Sequence, residues 1–345
     1  MGKTACRNMG TNSGFIPAKK SMRPPGNCVI QRCMRPFLIV CLLGSFMALV
    51  VEAGDGTETL DHRSPHAKIP AGFTIRHPKD GAEMVWVPPG WFRMGINADT
   101  AQKQAEQLGY KDYHEIAAQE SFPEHLVYVE GFYMDKYEVT IELWKKFVET
   151  TKWKPKKEPG QSDSVMNPTW IGPDLKPEQA KLPIAQVTWR AAQEYANWAG
   201  KQLPTEAMWE KAARGTDGRW YPWGNEKPSR EYGVIAVTDQ SLTGPEPVGS
   251  CPKGASPYGC MDMAGNVYEW TNEWVEPYPN NPEPVGEWGH RYVVLRGGSF
   301  YHGRHSYRCA KRFGFEINET YYHVGFRTAW SPPADFDHQK HAVKH

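Results

Sequence analysis

The chain has 345 residues, a formal net charge of +1 and many glycines (32), prolines (29) and tryptophans (14). This composition argues against a helical bundle and favours a fold with many turns, short strands and a core of large aromatic rings. Seven basic side chains and one acidic one lie in residues 1–53, so the remainder is net negative and does not resemble a nucleic-acid-binding protein.

The first 53 residues resemble an export signal. A basic region ending at Arg35 precedes an uncharged apolar run from Phe37 to Val51, and a small-x-small cleavage site follows before Gly54. The apolar run is shorter than the roughly 20 residues that a membrane-spanning helix needs. We therefore predict export to a periplasm, the extracellular space or an equivalent compartment. An uncleaved anchor is the alternative, and a start at Met34 would give a signal of ordinary length.

Three regions follow the signal. Residues 54–80 are polar and contain three prolines, which indicates an extended leader. Residues 81–331 contain neither an internal repeat nor a low-complexity run, and we predict that they form a single domain. Residues 332–345 are predicted to be a flexible tail.

Alternating apolar residues predict strands near the start of the domain. The stretch EMVWVPPGWFRMG, residues 83–95, is interrupted by two prolines and a glycine, which predicts a strand, a turn and a second strand. The stretch LVYVEGFYMDKYEVT, residues 126–140, repeats this kind of pattern.

Three helices follow, each preceded by a threonine that can cap it. The capping residues are Thr140, Thr188 and Thr205, and Gly200 and Gly215 end the second and third helices. Helical periodicity disappears after the last of these glycines. Two long connections, residues 100–120 and 153–182, have the composition of insertions and could cover a groove.

Three cysteines lie downstream of the predicted signal: Cys251, Cys260 and Cys309. In an oxidising compartment a disulfide between Cys251 and Cys260 would close a short Pro/Gly-rich loop and contribute about 2–3 kcal/mol. This pairing leaves Cys309 as either a small buried residue in a strand or a reactive thiol.

Residues 296–312, RGGSFYHGRHSYRCAKR, concentrate four arginines, a lysine, two histidines, two tyrosines and a cysteine. Such a segment is typical of an active site or of the wall of a binding cleft. His302 and His305 are three residues apart, and two imidazoles could bind copper or iron. The neighbouring arginines oppose a bound cation, so the segment could instead bind an anion or a peptide carboxylate, or pair with acids of the chain.

Seven segments of the chain are informative together because of their order. They are MVWVPPGWFRMG, FPEHLVYVEGFYMDKYEVT, LPIAQVTWRAAQEYANWAGKQLPTEAMWEKAARG, YPWGN, GCMDMAGNVYEWTNEW, VLRGGSF and HVGFRTAW. With these segments in this order, the chain resembles the sulfatase-modifying factors, the family of the formylglycine-generating enzyme, from about Met84 to Trp330. The resemblance implies an α+β fold of the C-type-lectin-like, formylglycine-generating-enzyme type, with one domain and little regular secondary structure.

The resemblance also shows a departure from the family's chemistry. In the enzyme, two cysteines shortly after the Gly-Gly-Ser strand bind cuprous copper, because soft thiolates prefer a soft ion. Neither cysteine is present after Ser299, and Cys309 corresponds to a structural cysteine further along the family strand. His302, His305 and Cys309 remain the candidates for a different catalytic centre.

Other residues of this region receive roles by the same comparison. The arginines that lie in shared family segments are expected to be scaffold, paired with acids such as Glu269 or Glu273; they are Arg296, Arg312 and Arg327. The residues predicted to contact a ligand are Ser299, Tyr301, Arg304 and His305. Arg304 and His305 are the preferred contacts, because they lie in the variable loop.

The stretch DMAGNVYE implies a structural calcium ion. Carboxylates and main-chain carbonyls are the hard oxygen ligands that calcium takes, and the family's ligand positions correspond to Asp262, Gly265, Val267 and Glu269. The alternative is a turn held by hydrogen bonds of Asn266. A second calcium site of the family is not expected, because Gly233 stands where its asparagine would be.

Two functions remain open. The missing cysteine pair favours an exported relative without formylglycine-generating activity, which uses the cleft to bind a peptide or a protein as an accessory or assembly factor. The alternative is an oxygen-dependent oxidoreductase of the same type with a different metal or thiol centre. Neither a nucleic-acid partner nor, after signal cleavage, a stable membrane span is predicted.

Overall fold

The computed structural model of the chain describes residues 66, 68–156, 176–236, 244–281 and 291–344. The predicted signal and the first part of the predicted leader, residues 54–65, lie outside these residues. Within them, no helix combines the length and the apolar character needed to cross a membrane.

Four α-helices lie in the described part of the chain. They are α1 (Ala98–Leu108), α2 (Ile141–Thr151), α3 (Trp189–Ala199) and α4 (Glu206–Arg214). The hydroxyls of Thr140, Thr188 and Thr205 accept backbone N–H bonds of 3.1–3.3 Å, and so satisfy donors that a first helical turn leaves without partners. These three predicted helix starts are confirmed. Helix α1, capped by Asn97, was not predicted.

The strands of the described residues form three small sheets. The strands are β1 (Thr74–Arg76), β2 (Glu83–Val87), β3 (Gly90–Met94), β4 (His125–Val129), β5 (Phe132–Asp135), β6 (Tyr268–Trp274), β7 (Tyr292–Arg296), β8 (Phe313–Glu316), β9 (Val324–Gly325) and β10 (Ala329–Trp330). The sheet orders are β1-β2-β5-β10, β3-β4 and β8-β7-β6-β9. Only β6 and β9 pair in parallel among these strands. The short strands and separate helices confirm the predicted α+β fold.

Large rings fill the space between helices and sheets. Trp209 of α4 lies in one buried cluster with Val85 of β2 and Phe92 of β3. In a second cluster, Trp144 of α2 and Tyr195 of α3 stack with ring centroids 6.0 Å apart. The high tryptophan content is thus used in the core, as the composition predicts.

Both ends of the domain extend further than predicted. Strand β1 lies in the segment predicted to be a leader, and its Ile75 is fully buried. The segment predicted to be a flexible tail packs nearby, since the N–H of Val343 donates to the carbonyl of Thr74 at 2.9 Å and Phe336 packs edge-on against Trp330. The polar composition of the two segments wrongly suggested that both lack fixed structure. Each is held in place by contacts with the other.

The predicted disulfide between Cys251 and Cys260 is not formed, and both side chains are buried free thiols. Cys251 packs with Val234 and Phe300, whereas Cys260 belongs to the cluster around Trp209. Burial raises the pKa of Cys251 and raises that of Cys260 to about 11. Their short separation in sequence suggested a bridge, but their side chains pack into different clusters.

Candidate functional site

Two glycines turn the chain at the end of β7 into the segment with the candidate site residues. Gly297 and Gly298 have φ values of +91° and +73°, a region that residues with a Cβ rarely adopt. A Cβ on Gly298 would lie 2.8 Å from Cδ1 of Tyr307. Glycine therefore lets β7 approach the far end of the following loop, residues 299–307, which we call the cleft loop.

Tyr307 closes the cleft loop on itself. Its side chain is fully buried, and its hydroxyl contacts the carbonyl oxygens of Ser299, at 3.1 Å, and His302. The same hydroxyl accepts the N–H of Ala236 at 2.9 Å. Burial raises the pKa of Tyr307, so the hydroxyl keeps its proton and the loop is held from inside.

Ser299 and His302 are joined within this loop. The Oγ of Ser299 lies 2.7 Å from Nδ1 of His302 and accepts the N–H of Tyr301 at 3.3 Å. Ser299 is fully buried, whereas Tyr301 is 47% exposed. Half-buried Arg304 begins the 3₁₀ turn that ends the loop at Tyr307. Of the predicted ligand contacts, Tyr301 reaches the surface and Ser299 orients a neighbour.

His302 packs against His323, a residue that the sequence analysis did not single out. The two ring centroids are 4.8 Å apart and the ring planes lie at 68°. His323 directly precedes β9, and its carbonyl accepts the N–H of Tyr268 on β6 at 2.9 Å. Burial lowers the pKa of each histidine to about 4, so both imidazoles are neutral at neutral pH. The Nδ1 of His323 is buried without a hydrogen-bond partner.

Exposed aromatic rings surround this histidine pair. They form an aromatic patch that consists of Tyr301, Phe313, Tyr321 and Tyr322. Each of its members is between 37% and 47% exposed. Tyr301 stacks on His323 with ring planes 13° apart, and Tyr322 meets the same imidazole edge-on at 5.0 Å. A contiguous exposed aromatic surface of this kind is typical of a binding site.

His305 has different surroundings from His302. Its ring lies 6.3 Å from that of Tyr110, and its pKa is lowered to about 4 by burial and by Lys311 and Arg308. Arg308 donates to the carbonyl of Ile116 at 2.7 Å. Part of the predicted insertion 100–120 therefore covers the His305 end of the cleft loop and leaves the aromatic patch exposed. The central part of the other predicted insertion, residues 157–175, lies outside the described residues.

The arginines predicted to be scaffold are buried partners of acids. Arg296 and Arg312 both bond Glu206, the first residue of α4, at 2.9 and 2.8 Å. Arg327 holds Glu269 through two hydrogen bonds of 2.7 Å. Paired bonds of this kind are strong and directional. The scaffold role is confirmed. The Arg296 pair connects β7 to α4, and the Arg327 pair connects β6 to the segment between β9 and β10.

Cys309 lies in the core, outside the cleft loop. It belongs to the cluster around Trp209, and burial raises its pKa to about 12. Its carbonyl accepts a hydrogen bond from Arg296 at 2.9 Å. A thiol that stays protonated and inaccessible is a poor nucleophile or metal ligand, so Cys309 is corrected from a catalytic candidate to a structural residue.

The carboxylates predicted to bind calcium already have protein partners. Both oxygens of Glu269 accept from Arg327, and Oδ2 of Asp262 accepts the N–H of Gly249 at 2.6 Å. Burial raises the pKa of Asp262 to about 6. Across the described ranges, no group of three or more His, Cys, Asp or Glu side chains is placed to hold a metal ion. The arrangement fits calcium only if the ion shares Glu269 with Arg327.

Hydrogen bonds of Asn266 hold the same turn. Its amide donates to Oε2 of Glu138 at 2.7 Å and accepts the N–H of Glu246 at 3.0 Å. The N–H of Val267 donates to the other oxygen of Glu138 at 3.1 Å. Burial, together with the nearby carboxylates, raises the pKa of Glu138. The turn that was the alternative to a calcium site is therefore present, with an acidic cluster around it.

Comparisons with known proteins agree with this fold. The chain matches the model of the sulfatase-modifying factor enzyme 1-like domain over residues 72–332. It is 27% identical to the formylglycine-generating enzyme of Bos taurus, over 79% of this chain and 82% of that protein. It is 31% identical to the formylglycine-generating enzyme of Thermomonospora curvata, over 74% and 96% respectively. The solved structure of PvdO from Pseudomonas aeruginosa has a TM-score of 0.58 and 23% identity, and the match covers 76% of this chain and 99% of PvdO.

Proposed function

Because the chain belongs to the sulfatase-modifying factor enzyme 1-like family, we propose that it is an exported member without formylglycine-generating activity, which binds a peptide or a partner protein as an accessory or assembly factor. The observation that carries this proposal is the aromatic patch beside the cleft loop. The cleft loop then has a binding role in place of copper chemistry.

The donor atoms of the cleft loop support this proposal. No cysteine lies between Gly297 and Arg308, and Cys309 is a buried thiol with a raised pKa. A cuprous site built on paired thiolates therefore has no ligands in this loop. The side chains that the loop offers instead are imidazoles, an arginine and an exposed tyrosine.

The form of the aromatic patch also suits protein recognition. Tyrosines are frequent anchors at interfaces, because a large ring with a polar hydroxyl contributes contact area at a low cost in side-chain entropy. Tyr307 fixes the loop that carries Tyr301. A rigid loop loses little conformational freedom on binding, and this favours affinity.

Photo-crosslinking in the native host tests the binding role. A photoreactive amino acid replaces Tyr301, and the same amino acid replaces Trp91, which is 62% exposed on β3, as the matched control. We expect a protein or peptide adduct that forms at residue 301, is absent at residue 91, and decreases when Tyr322 is changed to alanine. Equal adducts at both positions, or none at residue 301, would contradict the proposal.

A direct assay separates this proposal from the oxidoreductase alternative. The purified protein is incubated with cuprous copper, oxygen and a peptide that contains a sulfatase-type cysteine motif, and the peptide is analysed by mass spectrometry. We expect no formylglycine at the position of the cysteine. Conversion of the cysteine to formylglycine would instead support an oxidoreductase with a centre at His302 or His305.

Export and calcium binding are further parts of the proposal. Protein N-terminal sequencing of the mature chain from its host should give Gly54 as the first residue in a non-cytosolic fraction. A chain that begins at Met1 or Met34 in the cytosol would contradict export. Calcium would add positive charge to the acidic cluster around Asp262 and Glu138 and so stabilise the turn between them.

A further inference from the structure

The spacing of His302 and His323 matches two ligands of one metal ion. A metal–nitrogen distance of about 2.0–2.1 Å, plus about 1 Å from nitrogen to ring centre, places the centres of two imidazoles in adjacent coordination positions about 4.5–5 Å apart. The observed centroid separation is 4.8 Å, with the ring planes at 68°. The two rings are therefore close enough to bind the same ion.

The hydrogen bonds of the two rings support ligation. Nδ1 of His302 is held by Ser299 Oγ at 2.7 Å, which is the kind of contact that orients a metal-bound histidine and leaves its Nε2 for the metal. Nδ1 of His323 is buried without a partner in a side chain that is 9% exposed. We propose that His302 and His323 bind one transition-metal ion of the Cu²⁺ or Zn²⁺ type, with water or a side chain of a bound partner in the remaining positions.

Another histidine pair shows that ring spacing alone does not make such a site. The rings of His66 and His338 are also 4.8 Å apart. Their nitrogens, however, lie 2.9 Å from each other, and the second nitrogen of His338 lies 2.7 Å from the hydroxyl of Tyr133. These nitrogens already have hydrogen-bond partners, whereas Nδ1 of His323 has none.

Electrostatics distinguish the proposed pair from one that uses His305. Lys311 and Arg308 act on His305 and oppose a further positive charge there. The pKa of His302 is lowered by burial, and that of His323 by burial and by His302, with no contribution from lysine or arginine. A metal ion is therefore better accommodated on the His323 side of His302.

The surroundings leave room for further ligands of the ion. Tyr301 and Tyr322, which pack on His323, are nearly half exposed, so water or a partner's side chain can reach this part of the surface. Two protein ligands agree with the finding that no group of three metal-binding side chains occurs among residues that the structure describes. The site goes beyond the proposed function and does not depend on it.

Copper titration tests the proposal. The untagged protein is purified from its host, stripped with chelator and titrated with Cu²⁺ by calorimetry. We expect saturable binding of one Cu²⁺ per chain, and weakening by at least about tenfold in His323→Ala and in His302→Ala, since loss of even a ligand's hydrogen-bond partner typically costs about 10–100-fold in metal affinity. His305→Ala and His66→Ala should bind as the unmodified protein does.

Two results of the titration would overturn the metal site. One is unchanged Cu²⁺ affinity in the variants of His302 and His323, and the other is a comparable loss in His305→Ala. A second experiment needs no variant and therefore does not depend on how a variant folds: electron paramagnetic resonance of the unmodified protein with bound Cu²⁺. Coupling to two imidazole nitrogens is expected, and a spectrum without imidazole coupling would also reject the site. Because the crosslinking experiment uses no copper, failure of one proposal leaves the other testable.

Discussion

Glu269 is a buried acid, and both of its carboxylate oxygens accept hydrogen bonds from other side chains. Arg327 donates to both of its oxygens, and Trp209 donates to Oε2 at 2.7 Å. Removing one member of a buried pair leaves the other charge unpaired in a medium of low polarity, and this usually costs more than the intact pair contributes. The residue is therefore more important for stability than its membership in a predicted calcium site suggested.

Glu269→Gln should lower the free energy of unfolding by about 3–5 kcal/mol, because it leaves the Arg327 guanidinium without its counter-charge. Urea denaturation measures the change. The matched control is Glu316→Gln, which removes the partner of exposed Arg291 and should cost less than about 1 kcal/mol. Equal effects of the two substitutions would show that the buried pair has no special role.

Asp262 gives a cleaner test of calcium than Glu269 does. Its φ of +57° is tolerated by asparagine, so Asp262→Asn removes a charge without straining the backbone. We expect calcium to raise the melting temperature of the unmodified protein relative to chelator, and Asp262→Asn to reduce that increase. Differential scanning calorimetry measures both. The same melting temperature with calcium and with chelator would reject the ion.

At the scale of structural elements, the cleft loop depends on the close approach of its two ends. Gly298 brings β7 against Tyr307, and the hydroxyl of Tyr307 holds the carbonyls of Ser299 and His302. The loop has no internal strand or α-helix, so its shape rests on this contact. A change at Gly298 should therefore affect both stability and the position of Tyr301.

Gly298→Ala combines an unfavourable φ with a steric clash, whereas Gly109→Ala at the end of α1 has an unfavourable φ and no neighbour within 4 Å. We expect Gly109→Ala to cost about 1 kcal/mol and Gly298→Ala clearly more. Urea unfolding measures both values, and crosslinking at residue 301 should decrease only in the Gly298 variant. A smaller cost at Gly298 than at Gly109 would contradict this account of the loop.

The elements that could be predicted are those with local causes. Thr140, Thr188 and Thr205 cap their helices through bonds to the third following residue, so a short stretch of sequence contains both partners. Strand β1 could not be predicted in this way, because Thr74 pairs with Val85 and also bonds Val343. The covering role of the insertion at 100–120 was predicted, but the helical form of α1 was not.

At the scale of the whole molecule, two buried acids, Glu206 and Asp80, respond to pH in the same direction. Burial alone would raise the pKa of Glu206, but Arg312 and Arg296 lower it below its usual value. Burial likewise opposes ionisation of Asp80, but His77 and Lys201 lower its pKa. In both cases the unfolded chain binds a proton at a pH where the folded protein does not, so acid favours unfolding.

The contribution of Glu206 and Asp80 to the free energy of unfolding should therefore fall as the pH decreases from about 5 to 3, through the ordinary carboxyl pKa values of about 4. Urea denaturation at several pH values measures the slope. Glu206→Gln should start from a lower stability and show a shallower decrease, while Glu316→Gln should keep the slope of the unmodified protein. The raised pKa values of Asp262 (about 6), Glu138 and Glu273 have the opposite effect as the pH decreases toward 4. The same slope in Glu206→Gln and in the unmodified protein between pH 5 and 3 would contradict the prediction.

The sequence was sufficient to locate the candidate site, but it was not sufficient to identify all the residues that form it. The motif at Gly297–Ser299 identified the loop, and the missing cysteines were visible by inspection. His323 belongs to the site only because β9 pairs with β6, a long-range contact that no local pattern indicates. The buried position of Cys309 also depends on the packing of α4 against the sheets.

The bond between Val343 and Thr74, and the bridge between Ala342 and Ile75, mean that the chain enters and leaves this domain side by side. A short linker from residue 344 to residue 71 would therefore join neighbouring points, and the polypeptide could be reopened at an exposed turn elsewhere as a circular permutant. Any protein fused to either end would emerge from the same edge of the sheet that contains β1.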